Sequence, residues 1–305
     1  MEQAQKAEAI GVVSRGWRFV KKPWREKAKA IRLRWSTARA RMPRVARLTF
    51  GAWWILRQDN LGEPLSGGNF ETAELAFVHR FLKPGMTVLD VGAHHGLYTL
   101  LASKRVRKCG RVICFEPSSR ERRALRLHVA INGCWNVEIE GTALGNENDD
   151  RDLFVVQGSQ TGCNSLRPPI VESGTATVRV KVIRLDEWLA EQKLAHVDFI
   201  KMDVEGAEMA VLEGAAKLLE RRPRPVILAE VQDVRTEPWG YKAKDILSYL
   251  DAREYKWFRF VAGGGLECLD LSPRAFDGNF VAFPVERLDQ ARPLLHGGSS
   301  HTAVC

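Results

Sequence analysis

Apolar and polar positions change their spacing repeatedly between about residue 70 and residue 284, and the changes mark alternating strands and helices. Short continuous apolar runs predict buried strands, and apolar positions three or four residues apart predict amphipathic helices. The predicted strands are residues 87–91, 111–115, 137–144, 152–157, 177–183, 197–202, 225–231, 256–261 and 279–284. The predicted helices are residues 70–82, 97–106, 118–131, 186–192, 205–222 and 243–252. This alternation predicts βαβ units and a mostly parallel sheet.

Composition and charge divide the chain into a domain and a basic arm. The 305 residues are 45% hydrophobic and 27% charged, which is ordinary for a globular protein. The first 50 residues carry 14 Lys and Arg against 3 Glu, whereas the remaining 255 carry 32 Lys and Arg against 34 Asp and Glu. We therefore expect a basic helical arm over residues 1–50, a connector over 51–69, one α/β domain over 70–285 and a tail over 286–305.

The arm contains one predicted helix between Pro23 and Pro43. Its apolar residues recur at spacings of four and three on a single stripe, and basic residues cover much of the remaining surface. Tryptophan opposite Lys and Arg is typical of a helix at an anionic membrane surface, so we expect residues 17–48 to make peripheral contact with such a membrane. Packing on the domain or on a second copy is an alternative, and binding of phosphate backbones is the least favoured one.

Cysteine spacing and hydropathy bear on the compartment. The six cysteines form no C-x-x-C pair, so we expect reduced thiols rather than a disulfide framework or a zinc site. No apolar run approaches the roughly 18 residues of a membrane span, and the N-terminus lacks the apolar core of a signal peptide. We expect a cytoplasmic protein that the arm would hold at the inner face of the membrane.

The turn after the first strand of the domain carries the most specific chemistry. Strand 87–91 contains Asp90, and Gly92 and Gly96 follow in the turn before the next helix. Glycine lets a ligand approach the backbone closely. Glu116 follows the next strand, at a position where an acidic side chain of a doubly wound sheet binds the hydroxyls of a ribose. These residues indicate a nucleoside-bearing cofactor across the carboxyl ends of the two strands.

Two classes of cofactor use a turn of this kind. A dinucleotide requires G-x-G-x-x-G, because its pyrophosphate rests against bare backbone at a helix N-terminus. Here the pattern is D-x-G-x-x-x-G, with His94 and His95 where a pyrophosphate would approach. The carboxylate of Asp90 suits the ammonium and sulfonium of S-adenosylmethionine better than a phosphate. The turn therefore favours the methyl donor, with a strand–turn–helix that binds nothing as the structural alternative.

Several further motifs follow in order from about residue 70 to residue 284. They are VLDVGAHHGLYTL, FEP, N-G-x-x-N-V, T-A-L-G, N-S-L, R-L-D-E-W-L, D-F-I-K-M-D-V-E-G-A-E and N-F-V-A-F-P. Together they resemble the FkbM-type S-adenosylmethionine-dependent methyltransferases, although His94 and His95 replace the usual Asn and apolar residue. The resemblance implies a class I methyltransferase fold, a mostly parallel seven-stranded sheet with helices on both faces and an antiparallel last strand.

The resemblance also implies a cofactor, an acceptor and a set of binding residues. The cofactor would be S-adenosylmethionine, and the acceptor a hydroxyl of a sugar, lipid-linked glycan or related natural product. The residues that would bind the cofactor are Asp90, Gly92, Ala93, Gly96, Tyr98, Thr99, Glu116 and Ala143. Within this set we expect Asp90, Gly92 and Gly96 at the methionine half, Glu116 at the ribose and the backbone near Ala143 at the adenine.

Three carboxylates are the candidate catalytic residues. A hydroxyl is a poor nucleophile, and a carboxylate that accepts its proton would assist transfer. Asp203, after strand 197–202, is predicted to organise the donor or to act as the base, and Glu205 and Glu230 to contact the acceptor. Glu205 and Glu208 could instead stabilise a helix N-terminus. A divalent ion held by Asp203, Glu205 and Glu230 is a further alternative, but no His–carboxylate spacing supports it, so we expect no metal.

The loop over residues 158–176 and two other functions remain open. A long polar loop inside a domain predicts a lid or a binding loop, with surface disorder as the alternative. We expect its residues Asn164 and Ser165 to meet donor or acceptor. A non-catalytic domain with a working arm and an RNA methyltransferase are the competing functions. The strand ends lack the N-P-P-Y-type turn used on flipped bases, so nucleic acid is not the expected partner. The oligomeric state stays undetermined.

Overall fold

A computed structural model describes residues 44–57, 59 and 61–296, so the predicted helix between Pro23 and Pro43 lies outside the described residues. The strands are β1 (Val45–Arg47), β2 (Trp53–Ile55), β3 (Thr87–Val91), β4 (Arg111–Phe115), β5 (Val137–Glu140), β6 (Ala143–Leu144), β7 (Asp149–Val156), β8 (Thr175–Ile183), β9 (Phe199–Met202), β10 (Val226–Gln232), β11 (Tyr255–Val261), β12 (Gly265–Cys268) and β13 (Asp277–Pro284). The helices are α1 (Gly62–Gly67), α2 (Thr72–Phe81), α3 (Leu97–Val106), α4 (Ser119–Ile131), α5 (Leu185–Glu191), α6 (Glu208–Gly214), α7 (Ala216–Glu220), α8 (Asp233–Thr236), α9 (Ala243–Asp251) and α10 (Leu288–Ala291).

The main sheet has the strand order β12-β11-β13-β10-β9-β3-β4-β5. The five adjacent strands β10, β9, β3, β4 and β5 are parallel to one another, and β13 runs antiparallel between β10 and β11. This topology confirms the predicted α/β fold, with its mostly parallel sheet and antiparallel last strand. The sheet has eight strands rather than the expected seven, because Gly265–Cys268 adds an antiparallel edge strand to β11.

Two other predicted elements differ from the structure. The helix predicted over 205–222 begins only at Glu208, because Glu205 and Gly206 have positive φ angles of 55° and 99°, which exclude a helical start there. It is also divided into α6 and α7 at Ala215, whose backbone is not helical. The strand predicted over 137–144 is divided into β5 and β6. Strand β6 leaves the main sheet and joins a second, three-stranded sheet in the order β6-β8-β7. The predicted domain boundaries at residues 50, 69 and 285 remain predictions.

Side chains that alternate along the strands build a hydrophobic core on each face of the main sheet. In β3, Leu89 and Val91 pack in a core with α5, α6 and α9, whereas Val88 packs in a second core with α2, α3 and α10. Asp90 occupies this second face at the carboxyl end of β3. The same alternation places Lys201 of β9 and Glu230 of β10 on that face. The second face therefore changes from an apolar core to an ionic cluster at one edge of the sheet.

A smaller cluster joins the β1–β2 hairpin to the domain. The imidazole of His128, on α4, accepts a hydrogen bond from the amide N–H of Ile55 at 3.0 Å, and its Nδ1 lies 2.8 Å from the carbonyl oxygen of His95. The ring of Trp54 stacks on His128 with 4.0 Å between centroids. Because one ring nitrogen accepts a hydrogen bond, the other donates one, so the imidazole is neutral. It bridges the β1–β2 hairpin and the turn from Gly92 to Gly96, here called the glycine turn.

The described residues bear on the predicted thiol state and on the predicted absence of a membrane span. Cys109, Cys114, Cys134 and Cys163 are free thiols, as expected, but Cys268 is disulfide-bonded, so the prediction of reduced thiols throughout is wrong. Among the described residues, none of the helices combines the length and the apolar character required to cross a membrane.

Replacement of Phe283 tests the second core. Its side chain is fully buried, and its ring makes edge contacts with Phe81 and Phe258 at 5.6 Å between centroids. We expect Phe283→Ala to lower the free energy of unfolding by about 3–5 kcal/mol through lost burial and a residual cavity. Urea denaturation measures the change. Trp135→Ala, at a side chain that is 90% exposed, is the control and should change stability by less than about 0.5 kcal/mol. An equal effect of both substitutions would contradict this assignment of the core.

Candidate active site

A pocket lies at the carboxyl ends of β3, β4 and β9 and is covered by the loop over 158–176. Five of the eleven predicted cofactor-binding and catalytic residues line it, namely Gly92, Glu116, Ala143, Asp203 and Glu205, and so do Asn164 and Ser165 of the loop. The other predicted residues lie behind the glycine turn or beside the pocket. The structure thus brings together the predicted ribose and adenine contacts and two of the three candidate catalytic carboxylates.

Close approach of two strand ends explains the first glycine of the turn. Gly92 has a φ of +82°, and a Cβ built on it would lie 1.8 Å from the carbonyl oxygen of Asp203. A Cβ on Gly96 would lie 2.4 Å from Cδ1 of Leu125, on α4. A backbone contact therefore requires glycine at residue 92, and the φ of +91° favours glycine at residue 96. Ala93, between the two glycines, packs against Cys114 and Leu125 in a small buried cluster.

Glu116 is held in one orientation at the floor of the pocket. Its Oε2 accepts a hydrogen bond from the amide N–H of His94, and its Oε1 accepts one from the amide N–H of Ser118, both at 2.8 Å. Burial raises the pKa of the Glu116 carboxyl to about 7, although both hydrogen bonds oppose the shift. The hydroxyl of Thr142, which the sequence did not single out, lines the same pocket and is buried without a hydrogen-bond partner. A ribose or purine that supplied hydroxyl and amine groups would satisfy both residues, so the pocket fits a nucleoside.

Asp90, Thr99 and Tyr98 form a buried layer behind the turn. The hydroxyl of Thr99 donates a hydrogen bond to Oδ2 of Asp90 at 2.5 Å. Burial raises the pKa of Asp90 to about 6. The hydroxyl of Tyr98 donates to Oε2 of Glu71 at 2.6 Å, and the side-chain amide of Asn279 donates to Oε1 of Glu71 at 3.3 Å. The three predicted residues thus bind other side chains of the protein, and Glu71 and Asn279 are members of the site that the sequence did not reveal.

Lys201 is the central cation of this layer. Its side chain is 2% exposed, and its ammonium lies 3.3 Å from Oδ2 of Asp203 and 5.2 Å from the ring centroid of Tyr98. Burial by itself lowers the pKa of a lysine, but the carboxylates of Asp203, Glu71 and Glu230 outweigh it and raise the pKa of Lys201. The ammonium is therefore charged, and it compensates a group of acids that could not otherwise share one edge of the sheet. A lysine within an apolar strand was the signal for this role.

Glu205 and Glu230 complete the acidic group. Glu205 has a φ of +55° and lies with its Oε2 2.8 Å from Nε of Arg235. Burial and the charge of Asp203 raise the pKa of Glu205 to about 8. Glu230 lies opposite Asn279 in the β10–β13 ladder, and burial raises its pKa as well. One carboxylate oxygen from each of Asp203, Glu205 and Glu230 lies within 4.8 Å of the others, as a divalent ion would require. Lys201 and Arg235 already supply positive charge there.

Glu208 has a structural position at the start of α6. Its side chain is buried, and its Oε1 accepts the amide N–H groups of Val204 at 3.1 Å and of Gly206 at 3.4 Å. These bonds fix the turn that carries Glu205. The arrangement agrees with the helix-terminus alternative for Glu208 but not for Glu205, whose carboxylate is paired with Arg235.

The loop over 158–176 is attached to both sides of the pocket. The hydroxyl of Ser165 donates to the carbonyl oxygen of Glu205 at 2.8 Å, and the side-chain amide of Asn164 donates to Oε1 of Glu121 at 3.2 Å. Asn164 also accepts the amide N–H of Val156 at 2.9 Å. Both residues line the pocket, as does Leu166. This placement favours the binding-loop interpretation.

Comparison with known protein families identifies a match over the region that carries the site. The family model described as the methyltransferase FkbM domain matches residues 90–257. This range covers more than half of the chain and contains the glycine turn, Glu116, the covering loop and the three candidate catalytic carboxylates.

Individual relatives match only part of the chain, at 17–31% identity. The AMB antimetabolite synthetase AmbE of Pseudomonas aeruginosa is 31% identical over 186 residues, which are 50% of this chain and 9% of that protein. The 2-O-methyltransferase NoeI of Sinorhizobium fredii is 27% identical over 184 residues, 55% of this chain and 74% of that protein. The FkbM methyltransferase structure from Methylobacillus flagellatus has a TM-score of 0.41 and 17% identity, over 75% of this chain and 56% of that one. The chain thus spans a small part of AmbE and little more than half of the M. flagellatus chain.

Removal of the buried ammonium tests its compensating role. Lys201→Met removes the ammonium next to Asp203 and leaves only Arg235, beside Glu205, so we expect the free energy of unfolding at pH 8 to fall by about 3 kcal/mol or more. Chemical denaturation measures the change, with the exposed Lys181→Met as the control. The double variant Lys201→Met/Glu230→Gln should recover part of the loss, because one repelling acid is also removed. No recovery in the double-mutant cycle would argue against electrostatic compensation.

The pH dependence of stability tests the raised pKa of Glu205. Between an unfolded pKa near 4.5 and a folded pKa of about 8, the native state holds a proton that the unfolded chain has released. Stability should therefore fall as the pH rises through this window. We expect the free energy of unfolding to fall less between pH 5.5 and pH 8.5 in Glu205→Gln than in the wild type, as measured by urea denaturation at both pH values. Parallel slopes for the two proteins would show that Glu205 has an ordinary pKa.

Proposed function

We propose, since the chain belongs to the methyltransferase FkbM family, that it transfers a methyl group from S-adenosylmethionine to a hydroxyl group. The acceptor hydroxyl would belong to a sugar, a lipid-linked glycan or a related natural product. The observation that carries the proposal is one pocket that joins a buried, oriented Glu116 and an unpartnered Thr142 hydroxyl to the carboxylates of Asp203 and Glu205. The nucleoside contacts and the acids that could accept a proton are then parts of one site.

Three groups of residues would contact three different parts of the donor. Glu116 would accept hydrogen bonds from the ribose hydroxyls, because each of its oxygens keeps a lone pair after accepting one amide N–H. Thr142 and the backbone near Ala143 would face the adenine. Asp203 and the acidic layer that includes Glu71 would attract the ammonium and sulfonium. When bound, the donor supplies an electrophilic methyl group, so the main task of the protein is alignment of the acceptor oxygen.

The acidic residues would move the proton of the acceptor. Asp203 is the acid of the pocket most open to solvent, with a side chain that is 33% exposed, and its Oδ2 is held by Lys201. It would accept the hydroxyl proton directly. Glu205, with a pKa near 8, would hold a proton over most of the physiological range and could donate a hydrogen bond to the acceptor. Ser165, which is bonded to the backbone of Glu205, would keep the covering loop over both.

The relatives support oxygen as the acceptor atom. NoeI is named a 2-O-methyltransferase, and it is the relative of which this chain covers the larger share. A hydroxyl acceptor also agrees with a site that gathers carboxylates, because an alcohol must lose a proton during transfer whereas an amine or thiolate acceptor has less need of a base.

Donor binding and methyl transfer can be measured separately. Titration calorimetry with S-adenosylhomocysteine should give binding by the wild type and by Glu138→Ala, a control on the same sheet, and loss of at least tenfold in affinity by Glu116→Ala. Asp203→Asn should retain binding but lower transfer by about 10²–10⁴-fold, the usual contribution of a general base. Transfer is followed with labelled donor into a fractionated lipid and polysaccharide extract, with methyl ethers identified after acid hydrolysis. Absence of binding by the wild type would contradict the proposed function.

A further inference from the structure

Two adjacent histidines and a glutamate converge beside the donor pocket. The rings of His94 and His95 stack with 3.7 Å between centroids and 19° between planes. One donor atom from each of His94, His95 and Glu121 lies within 4.8 Å of the other two. We propose that these three side chains bind a divalent transition-metal ion of the zinc class.

The donor set matches the chemistry of such an ion. Imidazole nitrogen and carboxylate oxygen bind Zn²⁺ at about 2.0–2.2 Å, so two donors of one tetrahedral sphere lie about 3.4 Å apart. Nε2 of His95 lies 2.9 Å from Oε2 of Glu121, which requires only a small displacement to admit an ion. His95 and Glu121 are each 2% exposed, so the ion would be screened from water on that side. Two histidines and one carboxylate also leave a coordination position open.

A second layer of side chains surrounds the proposed ligands, as in known metal sites. Oδ2 of Asp59 lies 3.5 Å from Nδ1 of His95, on the side of the ring opposite Glu121. Arg120 donates from Nε to Oε1 of Glu121 at 2.6 Å, and Asn164 donates to the same oxygen at 3.2 Å. Oε2 of Glu121 is left facing His95. A carboxylate behind a ligating histidine and donors on the outer oxygen of a ligating carboxylate are the usual outer shell of a metal centre.

Hydrogen bonds alone do not account for this cluster. Nδ1 of His95 is buried and makes no hydrogen bond, although Oδ2 of Asp59 lies only 3.5 Å from it. Nε2 of His94 lies 3.0 Å from the hydroxyl of Thr161, a residue of the covering loop. An ion between His95 and Glu121 would separate Nε2 from Oε2 and move the His95 ring toward Asp59, which would then accept a hydrogen bond from Nδ1. Thr161 would meet the ion or a water bound to it. The positive charge of Arg120 is offset by Glu121, with which it forms an ion pair.

The site is connected to the donor pocket through the backbone. The amide N–H of His94 donates to Glu116, and His94 itself lines the pocket. Asn164 and Thr161 bring the covering loop to the same point. A bound ion would therefore fix the glycine turn, the loop and α4 relative to one another. This inference concerns side chains to which the methyl-transfer proposal assigns no role, and it stands independently of that proposal.

Zinc titration of the full chain tests the site directly. The protein, without an affinity tag of histidines, is freed of metal with a chelator and titrated with Zn²⁺ by calorimetry and with Co²⁺ by visible absorption. We expect one equivalent to bind, with at least tenfold weaker affinity in His94→Gln, His95→Gln and Glu121→Gln. Asp59→Asn should weaken binding by about 10–100-fold without removing a ligand. The control is His196→Gln, at an imidazole that is 43% exposed and bonded to Asp198, and it should bind as the wild type.

The outcomes separate this site from the proposed function. Circular dichroism and thermal denaturation of each metal-free variant establish that it is folded before titration. Failure of the folded wild type to bind a stoichiometric ion overturns the proposal, as does equal affinity in the wild type and the ligand variants. Binding of S-adenosylhomocysteine by metal-free protein is measured in parallel, so the methyl-donor site can be present whether or not the metal site is.

Discussion

The buried ammonium of Lys201 allows several acids to share one edge of the main sheet. It lies against Asp203 and near Glu71, Asp90 and Glu230, on a face that is apolar a few residues earlier along the same strands. An acid moved from water into such a layer is favoured only as the neutral form unless a cation accompanies it. Lys201, together with Arg235 beside Glu205, therefore determines how much negative charge the edge can hold, and with it which ligands the edge attracts.

Close contact between strand ends determines where that charge points. The carbonyl oxygen of Asp203 occupies the space that a side chain would fill at residue 92, so β3 and β9 end against each other. Glu208 fixes the following turn by accepting two amide N–H groups, which leaves the side chain of Glu205 facing the pocket and Arg235. Backbone atoms, rather than side chains alone, therefore hold the acidic edge in place.

The sequence predicted local features well and long-range contacts poorly. Strands β3 and β4 and helix α3 have the predicted bounds, because their apolar runs and flanking glycines are local signals. Strand β12 was missed, since four residues at a sheet edge carry no periodic pattern. Glu71 was missed because Asn279, to which it is bonded, lies 208 residues away. Asp90, Tyr98 and Thr99 were expected at a ligand, and their nearest partners are other side chains, which spacing along the chain cannot reveal.

The raised pKa values of Asp90, Glu116, Glu205 and Glu208 have a consequence for how the protein behaves without a ligand. Each buried acid retains unfavourable electrostatic energy that the rest of the fold must outweigh. A ligand that brings positive charge or hydroxyl donors to this edge would relieve that energy, and it would bind the folded chain alone. Ligand occupancy and resistance to unfolding or proteolysis are thus thermodynamically linked, and the amount of intact protein in a cell would rise with the supply of the ligand.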